Sequence, residues 1–421
     1  MKRRTHLEYE DHLTIDSVDT VKLAKKYGTP LYVTSAAAIK KQYRRLYKTL
    51  SSHYEKIRIY YACKANTNLA ILNLLRKEGC WIDAVSKGEI FSALKAGFPP
   101  EKIMFTGTSV SNEELRYALE KGVTINIDSL SELERLIKLG TAPISIRVNP
   151  GIGAGHHEYV VTGGENSKFG IWRDSVKEAY RKGKKVGLTI LGIHMHIGSG
   201  VLKVDKFIPP VARLLKIAGE IAQSLDISFE FIDIGGGLGV PYKPDDKPLD
   251  LQKFSQTIAS LFKKSISKYN LGEPFLALEP GRFFVAESTI LLTKVHNIKK
   301  NPAKTFVGVD AGFNTFQRPV MYGSYHEIVN ASYPSTENPT LVDVAGPLCD
   351  SGDLLGKNRK LEVEEGDILA ILDTGAYGFS MASRYNSRPL PTEVMIVNGH
   401  PNVIRKRETL KDLIKKREEV S

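Results

Sequence analysis

The fold class that this sequence predicts is α/β: a (β/α)8 barrel of the TIM type followed by a mainly β C-terminal domain. Eight short, β-branched apolar runs lie between Lys56 and Leu278, and the pieces between them carry apolar residues three and four apart. Eight such units in about 220 residues is the count of a closed barrel. After Arg282 the texture changes to valine-rich runs separated by Gly, Pro, Asn and Asp turns, with little helical periodicity before the tail.

The barrel strands are expected at Ile57–Tyr61, Trp81–Val85, Ile103–Thr106, Thr124–Ile127, Ile144–Val148, Thr189–His194, Phe229–Ile232 and Phe275–Glu279. Between them, Asn68–Glu78, Ser111–Glu120 and Ser131–Leu139 read as amphipathic helices with Asn or Ser starts. In the C-terminal third, Ser288–Lys299, Thr305–Val309, Thr340–Val344 and Ile368–Leu372 read as strands. The expected domains are 30–282 and 283–421, and residues 1–29 are free to join the second. The tail from Arg405 to Glu419 puts Leu410, Leu413 and Ile414 on one face, which predicts a terminal helix docked by that face and solvated on the other.

Composition narrows the function classes. Hydrophobic residues are 42% and charged residues 25% of 421, which suits globular cores and excludes disordered or fibrous chains. The net charge of +12 is dispersed, and no nucleic-acid motif accompanies it, so no nucleic-acid partner is expected. Cys63, Cys80 and Cys349 are far apart, without the spacing of a zinc knuckle or redox dithiol, so no structural metal is expected and a reducing compartment fits. No apolar run reaches the roughly 18 residues that span a bilayer, and the start lacks an apolar core. A soluble, cytoplasmic protein with no membrane partner is the expectation.

Reactive groups in a parallel barrel belong at the C-terminal ends of the strands. After the first comes Tyr61-Ala62-Cys63-Lys64-Ala65-Asn66, which sets Lys64 in an apolar turn. Desolvation there would favour attack on a carbonyl to give a Schiff base; alone, Lys64 reads more readily as a snorkelling rim lysine. After the sixth and seventh come His194-Met195-His196-Ile197-Gly198-Ser199-Gly200 and Asp233-Ile234-Gly235-Gly236-Gly237, both fit to cradle an anion with backbone N–H groups. The histidines lack carboxylates at ligand spacing, so rim histidines are the plainer alternative to metal ligands. A dinucleotide fold is disfavoured because Pro241 follows where a helix should open. After the eighth comes Glu279-Pro280-Gly281-Arg282, by itself a plausible surface ion pair. Together they offer a lysine, phosphate cradles and an acid that can keep a heteroaromatic nitrogen protonated, which is what pyridoxal 5′-phosphate requires.

With these motifs the chain resembles the fold type III pyridoxal-phosphate-dependent decarboxylases, and most closely the diaminopimelate decarboxylases. The match runs from Gly28-Thr29-Pro30-Leu31-Tyr32-Val33 through Asp83-Ala84-Val85-Ser86-Lys87-Gly88-Glu89, Ser167-Lys168-Phe169-Gly170, Asp310-Ala311-Gly312, Gly346-Pro347-Leu348-Cys349 and Asp373-Thr374-Gly375-Ala376-Tyr377-Gly378 to Arg388-Pro389. The resemblance implies that Lys64 holds the cofactor covalently, His196 stacks on its ring, Glu279 pairs with the ring nitrogen and Asp83 supports as a nearby acid. It places Ser199, Gly236, Gly237, Gly281 and Arg282 around the phosphate, with Tyr377 closing it from the other domain. Cys349, or a water it controls, would reprotonate the product carbon, although a free cysteine is by default a small buried hydrophobe.

The substrate class follows from Gln317-Arg318-Pro319-Val320-Met321-Tyr322, similar to the diaminopimelate pattern. Arg318 and Arg282 would fork onto a distal carboxylate, with Tyr322 and Tyr377 adding hydroxyl contacts. Asp350 stands where relatives usually carry the glutamate that holds the distal ammonium; aspartate is the ornithine decarboxylase habit. The implied reaction is decarboxylation of meso-2,6-diaminopimelate to L-lysine, the last step of lysine biosynthesis. Alternatives are a related decarboxylase of ornithine, lysine, arginine or carboxynorspermidine, or a non-catalytic binding protein on the same scaffold. The resemblance also implies a homodimer in which the Cys349-Asp350 loop enters the partner's site and Lys168 pairs with Asp353 across the interface. Gly151–His157 is either a mobile active-site loop or an ordinary connection.

Overall fold

The computed structural model describes residues 4–153, 163–333 and 338–418, and its chain divides into two compact units. Gln42–Pro241 with Lys247–Phe283 form one; Met1–Lys41, Tyr242–Asp246 and Phe284–Ser421 form the other. Residues 154–157 of the glycine-rich segment lie outside the described residues, as does Glu419.

Before the barrel come β1 (Leu7–Tyr9), β2 (Leu13–Ile15), β3 (Val18–Asp19), α1 (Thr20–Tyr27), β4 (Leu31–Ser35) and α2 (Ala36–Ser51). The barrel strands are β5 (Ile57–Ala62), β6 (Trp81–Ala84), β7 (Ile103–Phe105), β8 (Thr124–Ile127), β9 (Ile144–Asn149), β11 (Ile190–His194), β12 (Phe231–Asp233) and β13 (Phe275–Leu278), with β10 (Ile171–Trp172) a short addition beside β9. Each pairs in parallel with the next, and β13 returns to β5 through Leu276↔Ile57, which closes the cylinder. All eight fall where the apolar runs predict, within one or two residues at each end. Such strands are buried on both faces and need no alternation, so length and flanking turns reveal them.

The helices of this unit begin on residues chosen for the purpose. Asn68 opens α3 (Leu69–Lys77), Ser86 opens α4 (Lys87–Lys95), Ser111 opens α5 (Asn112–Lys121) and Ser129 opens α6 (Leu130–Leu139), each side chain accepting a backbone N–H that the first turn leaves without an intrahelical partner. At α5, Glu114 returns the bond to the Ser111 N–H and completes a capping box. Next are α7 (Val176–Lys185), α8 (Ile208–Leu225) and α9 (Leu251–Tyr269). At the N-terminal end of the barrel Arg58 lies over Trp81 at 4.1 Å and Phe275 at 4.3 Å and reaches Glu230 at 2.7 Å, so its charge is stacked and paired where it is buried.

The second unit is built on α10 (Arg282–Val285), which spans the junction, β14 (Thr289–Lys300), β15 (Thr305–Val309), α11 (Arg318–Tyr322), β16 (Ile328–Asn330), β17 (Thr340–Ala345), β18 (Leu354–Leu361), β19 (Ile368–Ile371), β20 (Thr392–Val397), β21 (His400–Arg405) and α12 (Leu410–Ile414). Its sheet runs β18-β17-β15-β14-β4-β20-β21, with β19 also on β14. Strand β4 sits between β14 and β20, so residues past 29 belong to this sheet by their hydrogen bonds. The apolar side chains of β1, β2, α1, β4, β14 and β20 form one of its cores.

The tail departs from expectation. Thr409 and Asp412 form a capping box and start α12, but it is five residues long, and Leu410 and Ile414 are 74% and 59% exposed. Among the described residues the docked face is formed only in part, with Leu413 half-buried: one turn presents little apolar surface to bury, and charged Lys415, Lys416 and Arg417 follow.

Candidate active site

The barrel gathers its chemistry where the sequence places it, just past the strand ends. Lys64 lies on the single turn Cys63–Ala65 after β5, with Nζ 3.4 Å from Oδ2 of Asp83, the penultimate residue of β6. Asp83 is fully buried, and burial, reinforced by Glu279, raises its carboxyl to about 7, with Lys64 opposing.

Strand register sets the next layer. His194 and Asp233 are Cα partners at the ends of β11 and β12, and Arg147 of β9 flanks His194 on its other side. Nε2 of His194 lies 3.0 Å from Oε2 of Glu279, which follows β13; Nδ1 lies 2.8 Å from the amide nitrogen of Asn126 on β8. Burial opposes ionisation of Glu279, but the N–H that His194 presents to Oε2 and the positive charge of Lys64 outweigh it and hold the carboxyl below its ordinary value. Its other oxygen, Oε1, is buried and accepts from no group among the described residues. His194, Asp233 and Glu279 bring possible ligand atoms within 4.8 Å of one another, a grouping that could suit a cation. His194 and Glu279 are already hydrogen-bonded to each other, which accounts for their proximity. Burial holds Asp233 well above the usual carboxylate range, although Oδ1 accepts the Gly235 N–H at 2.7 Å.

The cradle comes next along the chain. The Gly236 N–H donates to Nδ1 of half-buried His196 at 3.0 Å, which makes Nδ1 the bare nitrogen of a ring whose pKa burial and Lys64 push well down. Gly237 has φ +94°, and a Cβ on Gly236 would stand 2.2 Å from the Glu279 carbonyl oxygen, so only glycine admits this path. A Cβ on Gly281 would meet the Ala62 carbonyl oxygen at 2.8 Å, which ties the loop of Glu279 to the turn of Lys64. Arg282 reaches Oγ of Ser199 through Nη2 at 3.0 Å and Nε at 3.3 Å. Pyridoxal phosphate fits these residues: a buried ionised carboxylate offers one open oxygen, a lysine stands beside it, and glycine backbone with Ser199 and Arg282 forms the anion cradle.

The second unit carries the remaining candidates. Arg318 is 1% exposed, donates to Ser324 Oγ at 3.2 Å and to His326 Nε2 at 3.3 Å, and lies over the rings of Tyr242 and Tyr322 at 5.0 and 6.0 Å. Nδ1 of His326 donates to the Leu372 carbonyl at 2.9 Å, which leaves Nε2 bare to accept from Arg318. Tyr377 is half-buried at φ +57° on the turn after β19. That turn starts at Asp373, held by Arg4 through bonds of 2.8 and 2.6 Å. Cys349 is exposed, its N–H donating to Asn386 Oδ1 at 2.9 Å, and Asp350 is exposed beside it. Asp353 is buried, and its two oxygens accept the N–H groups of Phe313 at 2.6 Å and Leu348 at 2.9 Å, so it pins the cysteine loop within its own unit. Lys168 lies over the Phe169 ring at 5.2 Å.

Sequence reasoning passed over Asn126, Arg147 and Asp233 as site residues. Their signal was available: each is a polar residue inside or ending a buried barrel strand, where burial demands a partner.

Asp83 gives a pH test. Its folded carboxyl titrates above its unfolded value, so the stability it contributes is complete below about pH 4 and is lost as pH rises through about 7. The Asp83→Asn apoprotein should therefore gain on the parent in chemical denaturation across that window; parallel curves would refute the assignment.

Comparison with known proteins agrees with this fold. Residues 36–286 match the model of the pyridoxal-dependent decarboxylases, pyridoxal binding domain. The chain is 51% identical over 407 residues, 96% of its length and 95% of the relative's, to a diaminopimelate decarboxylase of Methanothermobacter thermautotrophicus. It superposes on a crystal structure of diaminopimelate decarboxylase from M. jannaschii with TM-score 0.92, at 36% identity, covering 100% of this chain and 99% of that one. A second structure from that organism, in co-complex with L-lysine, gives TM-score 0.91 at 36% identity, covering 99% and 98%. With a family model matched over residues 36–286 and relatives similar over almost the whole length, the chain belongs to the diaminopimelate decarboxylases.

Proposed function

We propose that this chain decarboxylates meso-2,6-diaminopimelate to L-lysine and CO2, the last step of lysine biosynthesis, with pyridoxal 5′-phosphate as cofactor. The full-length relationship to the diaminopimelate decarboxylases carries this reading, and the barrel residues supply the means. When bound, the cofactor supplies an electron sink for the charge left on the carbon that loses CO2.

Each residue then has a defined task. Lys64 would hold the cofactor through Nζ. Glu279, ionised and buried, would hold the proton of the cofactor's ring nitrogen through Oε1. His196 would help to hold the cofactor, and Asp83, 3.4 Å from Nζ, takes or gives the proton that Lys64 needs. Ser199, Gly236, Gly237, Gly281 and Arg282 hold the phosphate, with Tyr377 contributing its hydroxyl. Arg318, buried and held by His326 and Ser324, takes the distal carboxylate, aided by Arg282, Tyr322 and Tyr377, while Asp350 faces the distal ammonium. Cys349 delivers the proton that replaces CO2.

A homodimer with Cys349 and Asp350 acting in the partner's site is supported by their exposure. The pairing of Lys168 with Asp353 of a second copy has less behind it, because both Asp353 oxygens already hold backbone N–H groups. The free cysteines suit the cytoplasm, and no described helix is long and apolar enough to cross a membrane.

The deciding experiment measures CO2 release from meso-diaminopimelate, ornithine, lysine, arginine and carboxynorspermidine. Release from diaminopimelate alone is expected; preference for ornithine, which Asp350 would favour, overturns the substrate assignment. Arg318→Met should raise KM for diaminopimelate about a hundredfold, within the 2–5 kcal/mol that truncating one side of a buried charge pair costs, and leave the cofactor's visible absorption unchanged. An unaltered KM rules Arg318 out as the carboxylate anchor.

A further inference from the structure

We propose that His194 is a positioning residue, fixed by Asn126 as the neutral tautomer with its hydrogen on Nε2, so that it occupies Oε2 of Glu279 and leaves Oε1 as the one oxygen offered to the cofactor's ring nitrogen. This rests on the assignment of Glu279 to that nitrogen.

The relay crosses the barrel interior from β8 to β11 to the end of β13. An amide NH2 group only donates, so at 2.8 Å the Asn126 Nδ2 requires Nδ1 of His194 to be bare. A neutral imidazole with a bare Nδ1 carries its hydrogen on Nε2, which then donates to Glu279 at 3.0 Å. Asn126 and His194 are both fully buried, so water does not compete for either nitrogen. Burial also holds the imidazole below its ordinary pKa, against the pull of Glu279, with Arg147 and Lys64 acting in the same direction as burial.

An uncharged partner at position 126 has a chemical purpose. A carboxylate there would draw a second proton onto Nδ1, and the resulting imidazolium would compete with the ring nitrogen for the charge on Glu279. A neutral histidine instead restrains the carboxylate against rotation while leaving its charge to the ring. The aperture is one oxygen wide, and its direction is set by three strands rather than by a flexible side chain.

Nitrogen-15 NMR of histidine-labelled apoprotein and holoprotein tests this directly. The parent should show His194 with a bare Nδ1 and protonated Nε2 at about pH 7, and Asn126→Asp should protonate both nitrogens. Two protonated nitrogens in the parent, or the hydrogen on Nδ1, overturns the proposal. Cofactor titration of the apoprotein, followed by visible absorption, is the second readout. His194→Phe should weaken affinity roughly tenfold to a hundredfold, the range of a hydrogen bond to a charged group, and His194→Gln, which keeps an N–H donor, should recover most of it. Glu279→Ala separates the two levels. If it changes neither affinity nor absorption, the Glu279 assignment fails; if it changes both and His194→Phe changes neither, the relay alone fails.

Discussion

Replacing Lys64 with alanine should lower turnover by about ten-thousandfold or more, the scale seen when a covalent nucleophile is removed from a concerted site, and should abolish the visible band of the covalently held cofactor. The fold should survive the change. Nζ lies 3.4 Å from Asp83, and the lysine side chain is 36% exposed, so no close-packed core depends on it. Asp83 does not become a stranded charge either, since its carboxyl titrates near 7 and can carry a proton once the ammonium is gone. Single-turnover decarboxylation, cofactor absorption after dialysis and the thermal unfolding profile together check the expectation. Undiminished turnover in this variant would remove the basis of the proposed chemistry.

The second large effect lies far from that lysine in sequence. Arg4 donates to both oxygens of Asp373 and to Glu327 at 2.9 Å; Arg4 and Asp373 are both almost wholly buried. Changing Arg4 to methionine keeps the volume but leaves Asp373 a buried charge without its counterion, a loss of about 3–5 kcal/mol. The turn that follows is held in costly geometry, with φ +60° at Asp373 and +57° at Tyr377, so it should loosen first. Hydrogen exchange across Asp373–Tyr377 should accelerate, and the double variant with Asp373→Asn should recover stability relative to Arg4→Met alone. If exchange in this turn is unchanged, the arginine is not its anchor. Lysine at position 4 should not rescue fully, because an ammonium cannot reproduce the two parallel bonds of the guanidinium.

How far the sequence discloses this molecule depends on the range of the interaction concerned. The barrel was legible because its strands are apolar runs closed off by turns, and because Asn68 and Ser111 mark helix starts within a few residues of the bonds they make. Lys64, His196 and the glycines were legible for the same reason, each lying just beyond a strand end. In the second unit, Ile328–Asn330 is too short to stand out, and Leu354–Leu361 carries Lys357, Asn358, Arg359 and Lys360 as edge strands do. The contacts of the first strands depend on partners hundreds of residues away. The His194–Glu279 bond joins positions 85 apart and Arg4–Asp373 positions 369 apart, which no periodicity encodes. The tail misled for a different reason: apolar residues at helical spacing say which face could be buried, not that something is there to bury it.

The placement of β4 between β14 and β20 also bears on biogenesis. Leu31–Ser35 leaves the ribosome long before Thr289, its first partner on β14, has been made. At about 5–20 residues per second, that strand waits roughly 10–50 s with both edges bare while the entire barrel is translated and folds. During that interval Leu31-Tyr32-Val33 is a sticky, β-prone segment, so chaperone demand in the cell should track translation speed through the barrel codons rather than the stability of the finished protein.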